Sequence, residues 1–118
     1  MAMLPLLLAS CHKDEDDLFS TALITLDAGD GATVERMQGT LRLTNLNTRQ
    51  VVSTADFEGN VARLQVLRGA YSALVEGSVQ IKTAEGRSEV RQFRATADYM
   101  ALDKEDINTA TLQMIWMQ

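Results

Sequence analysis

Apolar and polar residues alternate along most of this chain. In "STALITLD" the alternation runs from Ala22 through Ile24 to Leu26. "GTLRLTN" sets Leu41 and Leu43 on one face and Arg42 on the other, and "RQVVST" reads as a short strand. "NVARLQVL" places Ala62, Leu64 and Val66 opposite Arg63 and Gln65. "AYSALVEGSVQIK" carries Tyr71, Ala73, Val75, Val79 and Ile81 on one parity. "VRQFRATADYM" carries Phe93, Ala95, Ala97 and Tyr99, and "INTATLQMIWM" carries Ala110, Leu112, Met114 and Trp116. Period-two alternation with one polar face predicts half-buried antiparallel strands. Seven such runs in about a hundred residues predict a sandwich. "GATVERMQ" fits the pattern least well, as either another short strand or an irregular loop. Gly77 interrupts a long strand and is expected to mark a bulge. The shared parity of Ala110, Leu112, Met114 and Trp116 predicts that one strand face buries all four.

Turn residues separate the runs: "DAGDGA", "DFEGN", "LRGAY", "AEGRS" and "LDKED". Gly86 is expected to supply positive φ in a hairpin, and Gly59 a tight turn. Tyr71 is expected to bury its ring while its hydroxyl finds a backbone partner.

The order "GTLRLTN", then "STADFEGNVARLQVLRGAYSALVEG", resembles the prealbumin-like, or carboxypeptidase-regulatory-like, β-sandwich of secreted bacterial proteins. Thr54, Asp56 and Gly59 match that family's turn loosely. Leu67, Gly69 and Tyr71 match the following strand well. The resemblance covers about Leu23 to Trp116. It implies an all-β, seven-stranded antiparallel immunoglobulin-like or prealbumin-like sandwich. It implies no ligand, because fold does not fix function.

The first residues break the alternation. Met1 to Ser10, "MAMLPLLLAS", is apolar throughout and is followed abruptly by Cys11-His12 and then Lys13, Asp14, Glu15, Asp16 and Asp17. Pro5 and the sudden charge argue against a buried strand. An apolar stretch closed by small residues fits a secretory signal. Leu8-Ala9-Ser10-Cys11 resembles the bacterial lipobox, which implies cleavage before Cys11 and acylation of its thiol and new amino group. Two or three acyl chains anchor stably, whereas a single chain is marginal at about 0.8 kcal/mol per buried methylene. No Lys or Arg precedes the apolar run, which fits a shortened or mis-assigned start. A lysine and acids just after the lipidated cysteine resemble the surface-export signal of Bacteroidota lipoproteins. As a plain physical device, the run is a solvated spacer extended by like-charge repulsion. The expected organisation is a signal peptide over 1–10, an acidic tether over 11–18 and a sandwich domain over 19–118.

Charge supports this division. The chain has 118 residues and a net charge of -5. Four of its sixteen acids lie in positions 14–17, leaving twelve acids against ten bases beyond Asp17. The bases are mostly Arg, scattered between Arg36 and Arg94, which gives no nucleic-acid footprint. No apolar run reaches the roughly 18 residues of a membrane helix.

Candidate chemistry is sparse. One Cys and one His exclude a cysteine-based zinc site, a histidine cluster and an internal disulfide. A Ser-His-Asp triad would need its base in the tether, so the domain reads as non-enzymatic. Asp98, Asp103, Glu105 and Asp106 read as a solvated loop. Asp27-Ala28-Gly29-Asp30-Gly31 lacks the full oxygen series of a calcium-binding hand and reads as a plain turn. Arg42, Arg63, Arg91 and Arg94 are expected on outward faces, open to an acidic glycan but more simply surface charges. No cofactor is implied. The partners implied are the membrane, through Cys11, and a protein or glycan. The expected function is a lipid-anchored outer-membrane lipoprotein, displayed on the cell surface, with a binding, adhesion or spacer module. The alternative is an accessory domain of an envelope enzyme or uptake system, or a small fimbrial subunit or anchor.

Overall fold

Alternation becomes two facing sheets. The computed structural model describes residues 18–29 and 31–117. Its strands are β1 (Phe19–Asp27), β2 (Thr33–Asn45), β3 (Val51–Thr54), β4 (Phe57–Glu58), β5 (Val61–Leu67), β6 (Gly69–Lys82), β7 (Ser88–Leu102), β8 (Ile107–Gln113) and β9 (Ile115–Met117). One sheet has the order β4-β5-β1-β8 and the other β3-β2-β6-β7-β9. Ala22, Ile24 and Leu26 of the first sheet share a core with Leu41, Leu43, Val75, Val79, Ile81 and Phe93 of the second. These nine are all buried, so the inward parities were legible in the sequence.

Among the described residues, nine strands replace the seven expected, for two reasons. Phe57–Glu58 forms a two-residue edge strand on β5. The last run is two strands in different sheets: β8 pairs with β1, and β9 pairs with β7. The chain crosses between sheets at buried Met114, whose N–H donates to the Asp27 carbonyl at 2.9 Å. Trp116 therefore stands opposite Phe93, not in line with Ala110 and Leu112 on one strand.

Nor is the pairing wholly antiparallel. β1 and β8 run parallel, with Thr21 beside Ile107 and Asp27 beside Gln113. β7 ends where β1 begins, so a crossing there enters the other sheet alongside β1. The crossing is pinned by polar groups. The Asp106 carbonyl accepts from the Thr21 N–H (3.0 Å) and the Ser20 hydroxyl (3.1 Å). Buried Asn108 donates to Ser20 Oγ (2.7 Å) and accepts from the Lys104 N–H (3.0 Å). Burying these groups is tolerated because each finds a partner.

"GATVERMQ" is mostly strand, the first part of β2. Its alternation breaks because Glu35 is an extra residue between Val34, opposite Ile81, and Arg36, opposite Gln80. Val34 and Met37, three apart, both pack on the core. β7 has the same kind of irregularity. Tyr71 faces Met100 and Ala73 faces Ala97, so Asp98 and Tyr99 are bulged together. The inward parity passes from Ala97 to Met100, and Tyr99, expected inward, is 66% exposed.

Gly77 marks no bulge. It pairs regularly with Gly39, and the two backbones approach so closely that a Cβ on Gly77 would strike the Gln38 carbonyl and the Gly39 Cα. The Phe93 ring lies over the pair, with its tip 3.5 Å from where a Gly39 Cβ would stand. Gly86 does adopt positive φ (89°) in the β6–β7 hairpin.

Tyr71 behaves as the sequence suggests. Its ring is buried and its hydroxyl donates to the Leu67 carbonyl at 2.7 Å. The bond fixes the turn by which the chain leaves one sheet and enters the other.

Two substitutions test this account by urea denaturation of the full chain. Gly77→Ala is expected to destabilise by about 1–3 kcal/mol through overpacking. Tyr71→Phe is expected to cost about 1 kcal/mol for the lost hydrogen bond. An unshifted midpoint for Gly77→Ala would mean that the β2–β6 approach is not tight.

Candidate functional surfaces

Cys11, His12, Lys13, Asp14, Glu15, Asp16 and Asp17 lie outside the described residues. The position where the chain leaves them is described. The Leu18 carbonyl accepts from the Arg68 N–H at 2.9 Å, and Phe19 pairs with Leu67. The domain is therefore joined to the preceding segment at the β5–β6 turn. The β2–β3 and β7–β8 connections lie at this N-terminal end. The β1–β2 and β6–β7 connections lie at the far end, as the strand pairings require.

An open groove of about 620 Å³ lies on the first sheet, lined by Leu23, Asp56, Phe57, Glu58, Val61 and Arg63. Leu23 pairs with Arg63, and Glu58 with Val61, so strand register brings these side chains onto one outer face. Phe57 pairs with buried Ala62 and packs on the core from the sheet edge. The groove offers carboxylates and a guanidinium beside an apolar floor. It can hydrogen-bond a ligand but contains no nucleophile set against a base.

A smaller cleft of about 160 Å³ lies at the far end, among Ala28, Gly29, Ile81, Arg91 and Trp116. Here the sequence expectation needs correction. Arg42, Arg63 and Arg94 are exposed on outer faces, but Arg91 shares the inward parity of Phe93 and Ala95 and is half-buried. Its guanidinium carbon lies 5.0 Å from the Trp116 ring centroid. Its Nε and Nη2 both donate to Glu89 Oε2, at 2.9 and 2.6 Å. A cation over an indole face is attractive, by about 0.5–1 kcal/mol at an accessible site. Parity with Phe93 was the available signal, and the charge masked it. Trp116 is half-buried and packs against the core as a partly covered lid.

The other candidates resolve as local structure. Asp27 Oδ1 accepts from the Gly29 N–H at 2.9 Å, capping a turn. Asp98, Asp103, Glu105 and Asp106 are exposed. Among the described residues, no three His, Cys, Asp or Glu side chains are grouped to hold a metal ion.

No family model and no curated protein matches the chain. Among solved structures, it is similar to a DUF4876 family protein from Bacteroides thetaiotaomicron, with a TM-score of 0.46 and 15% identity. The match covers 84% of this chain but 24% of that one.

Trp116, the sole tryptophan, reports on the cleft. Its emission is expected between the values for buried and solvated indole, shifting red in Arg91→Ala. Trp116→Ala is expected to cost about 2 kcal/mol, below the roughly 3–5 kcal/mol of a fully buried aromatic. Solvent-like emission together with an unshifted urea midpoint would contradict the lid assignment.

Proposed function

We propose that this protein is a lipid-anchored lipoprotein of the bacterial outer membrane, displayed on the cell surface, whose sandwich is a non-catalytic binding, adhesion or spacer module. The observation that carries the reading is Leu8-Ala9-Ser10-Cys11, then His12 and the run Lys13, Asp14, Glu15, Asp16 and Asp17, with the first described strand starting at Phe19. The apolar run and small residues suit a signal cut before Cys11, and acylation there supplies the anchor. The acidic run stays solvated and extended by self-repulsion and serves as the export signal. On this reading residues 1–10 are the signal, 11–18 the tether and 19–118 the domain.

The finer fold assignment, a prealbumin-like sandwich, belongs to the same proposal. It is supported by the Leu67-Arg68-Gly69-Ala70-Tyr71 turn, where the tyrosine hydroxyl ties back to the Leu67 carbonyl. The non-catalytic reading is supported by the residue inventory. The only His and the only Cys lie in the tether, so the domain has neither an imidazole base nor a thiol.

Expression in a Bacteroidota host with labelled fatty acid tests the anchor. The protein is expected to take up label and partition into detergent, and Cys11→Ala to do neither. Label retained by the variant would sink the reading. Replacing Lys13–Asp17 with alanines is expected to leave the protein lipidated but shielded from protease added to whole cells. Equal digestion of both forms would reduce the run to a spacer.

A further inference from the structure

Exposed apolar side chains are unevenly placed on this domain. Among the described residues, the large exposed hydrophobics are Leu18, Phe19, Leu46, Val51, Tyr99 and Ile107 on one side, and Val90, Ile115 and Met117 on the other. The first six gather toward the N-terminal end. Leu18 and Phe19 lie against Arg68 and Leu67. The Leu46 N–H donates to the Ala70 carbonyl at 2.9 Å, one residue after the same turn. Ile107 begins β8 beside Thr21. Val51 opens β3, and Tyr99 is thrown outward by its bulge three residues before β7 ends. Leu18 is 56%, Leu46 40% and Ile107 50% exposed, although buried positions lie a residue or two away at Ser20, Asn45 and Asn108.

We propose that this apolar end docks onto the lipid surface that holds the anchor, so that the sandwich stands on the bilayer with its far end outward. The inference rests on the lipoprotein reading above. Leu18 lies seven residues beyond Cys11. A fully extended chain spans at most about 3.6 Å per residue, so that end stays within about 25 Å of an acylated cysteine. A lipid surface is thus always within reach, at high effective concentration, and an interface too weak to act alone becomes occupied. Apolar side chains at a membrane interface sink their tips into the headgroup and acyl boundary. The connections at this end carry Arg49, Arg68 and Lys104 against Asp103, Glu105 and Asp106. Charge is balanced in these connections and net acidic in the adjoining tether, so no basic surface draws this end to lipid: the docking is apolar in character, and salt does not release it.

The test places a tryptophan at the docking end. The full, acylated chain is reconstituted on phosphatidylcholine vesicles brominated in the acyl chains. Natural Trp116, near the far end, serves as the internal control. The double variant Leu46→Trp, Trp116→Phe moves the only indole to the N-terminal end at a solvent-exposed site and keeps an aromatic ring at 116, and its far-UV spectrum and urea midpoint are compared with those of the natural protein to show that it is folded. The variant is expected to show a blue shift and strong quenching by brominated lipid, unchanged in high salt. The natural protein is expected to show neither. If both proteins float with the vesicles but the variant is not quenched, docking is overturned while the lipoprotein reading stands. If neither floats and mass spectrometry finds Cys11 unmodified, the lipoprotein reading fails and docking falls with it. Quenching of both indoles alike would mean a domain lying flat, and would equally overturn an upright stance.

Discussion

The register of the β2–β6 ladder is the constraint on which the larger sheet depends. A slip of one residue would turn Leu41, Leu43, Val75 and Val79 outward and abolish their burial. Gly39 and Gly77 hold the register because they alone let the two backbones approach as they do. In this register a Cβ on Gly77 would strike the Gln38 carbonyl, and one on Gly39 would stand 3.1 Å from the Glu76 carbonyl oxygen. The same absence of side chains leaves a recess on the inner face, and the Phe93 ring fills it. Register, close approach and the largest fully buried side chain are one arrangement. β7 is aligned through Phe93, and β9 through Trp116 opposite it.

Most of the inward surface was legible because strands with one polar face advertise their parity. The exceptions share a physical cause. A bulge adds a residue without adding hydrophobicity, so it shows in a sequence only as alternation that stumbles. At Glu35 the stumble made a strand look irregular. At Asp98–Tyr99 it placed Tyr99 on the wrong face. Gly77 carried the residue type associated with bulges and has none. In both real cases the extra positions are exposed, and they need no special backbone residue. Glu35 has a role of its own, since its Oε1 accepts from Ser88 Oγ at 2.8 Å and ties the bulge to the start of β7.

The crossing at Met114 was hidden for a different reason. Two facing sheets share one interior, so a chain that passes from one to the other keeps its inward residues inward. Leu112, Met114 and Trp116 alternate without interruption, although Leu112 lies in one sheet and Trp116 in the other. Periodicity reports the distance to the core and not the neighbour. The same limit explains the parallel β1–β8 pair, which depends on where β7 ends and on the Ser20–Asn108 contact across 88 positions of sequence. It also explains Arg91. Its parity placed it inward, but its charge suggested a surface, and the indole and the Glu89 carboxylate satisfy both.

The proposed function rests on a linear signal. An address read by a peptidase and an export system is a run of consecutive residues, and Leu8 to Asp17 can be read as such a run without any fold. A binding surface is assembled from distant strands. The groove of Leu23, Glu58, Val61 and Arg63 exists only after β4, β5 and β1 are placed side by side. The fold also gives the domain a direction that no local pattern contains. β1 begins at the end that carries Leu18, Phe19, Leu46 and Ile107, while β9 runs antiparallel to β7 and so travels toward the opposite end. On the proposed anchor, a module held at its N-terminal end would present its far end outward. The Arg91–Trp116 cleft and the β1–β2 and β6–β7 connections are there, and the groove lies on the flank between. On the proposed docking, selection for a partner would act on those residues, and the N-terminal end would answer to the lipid surface instead.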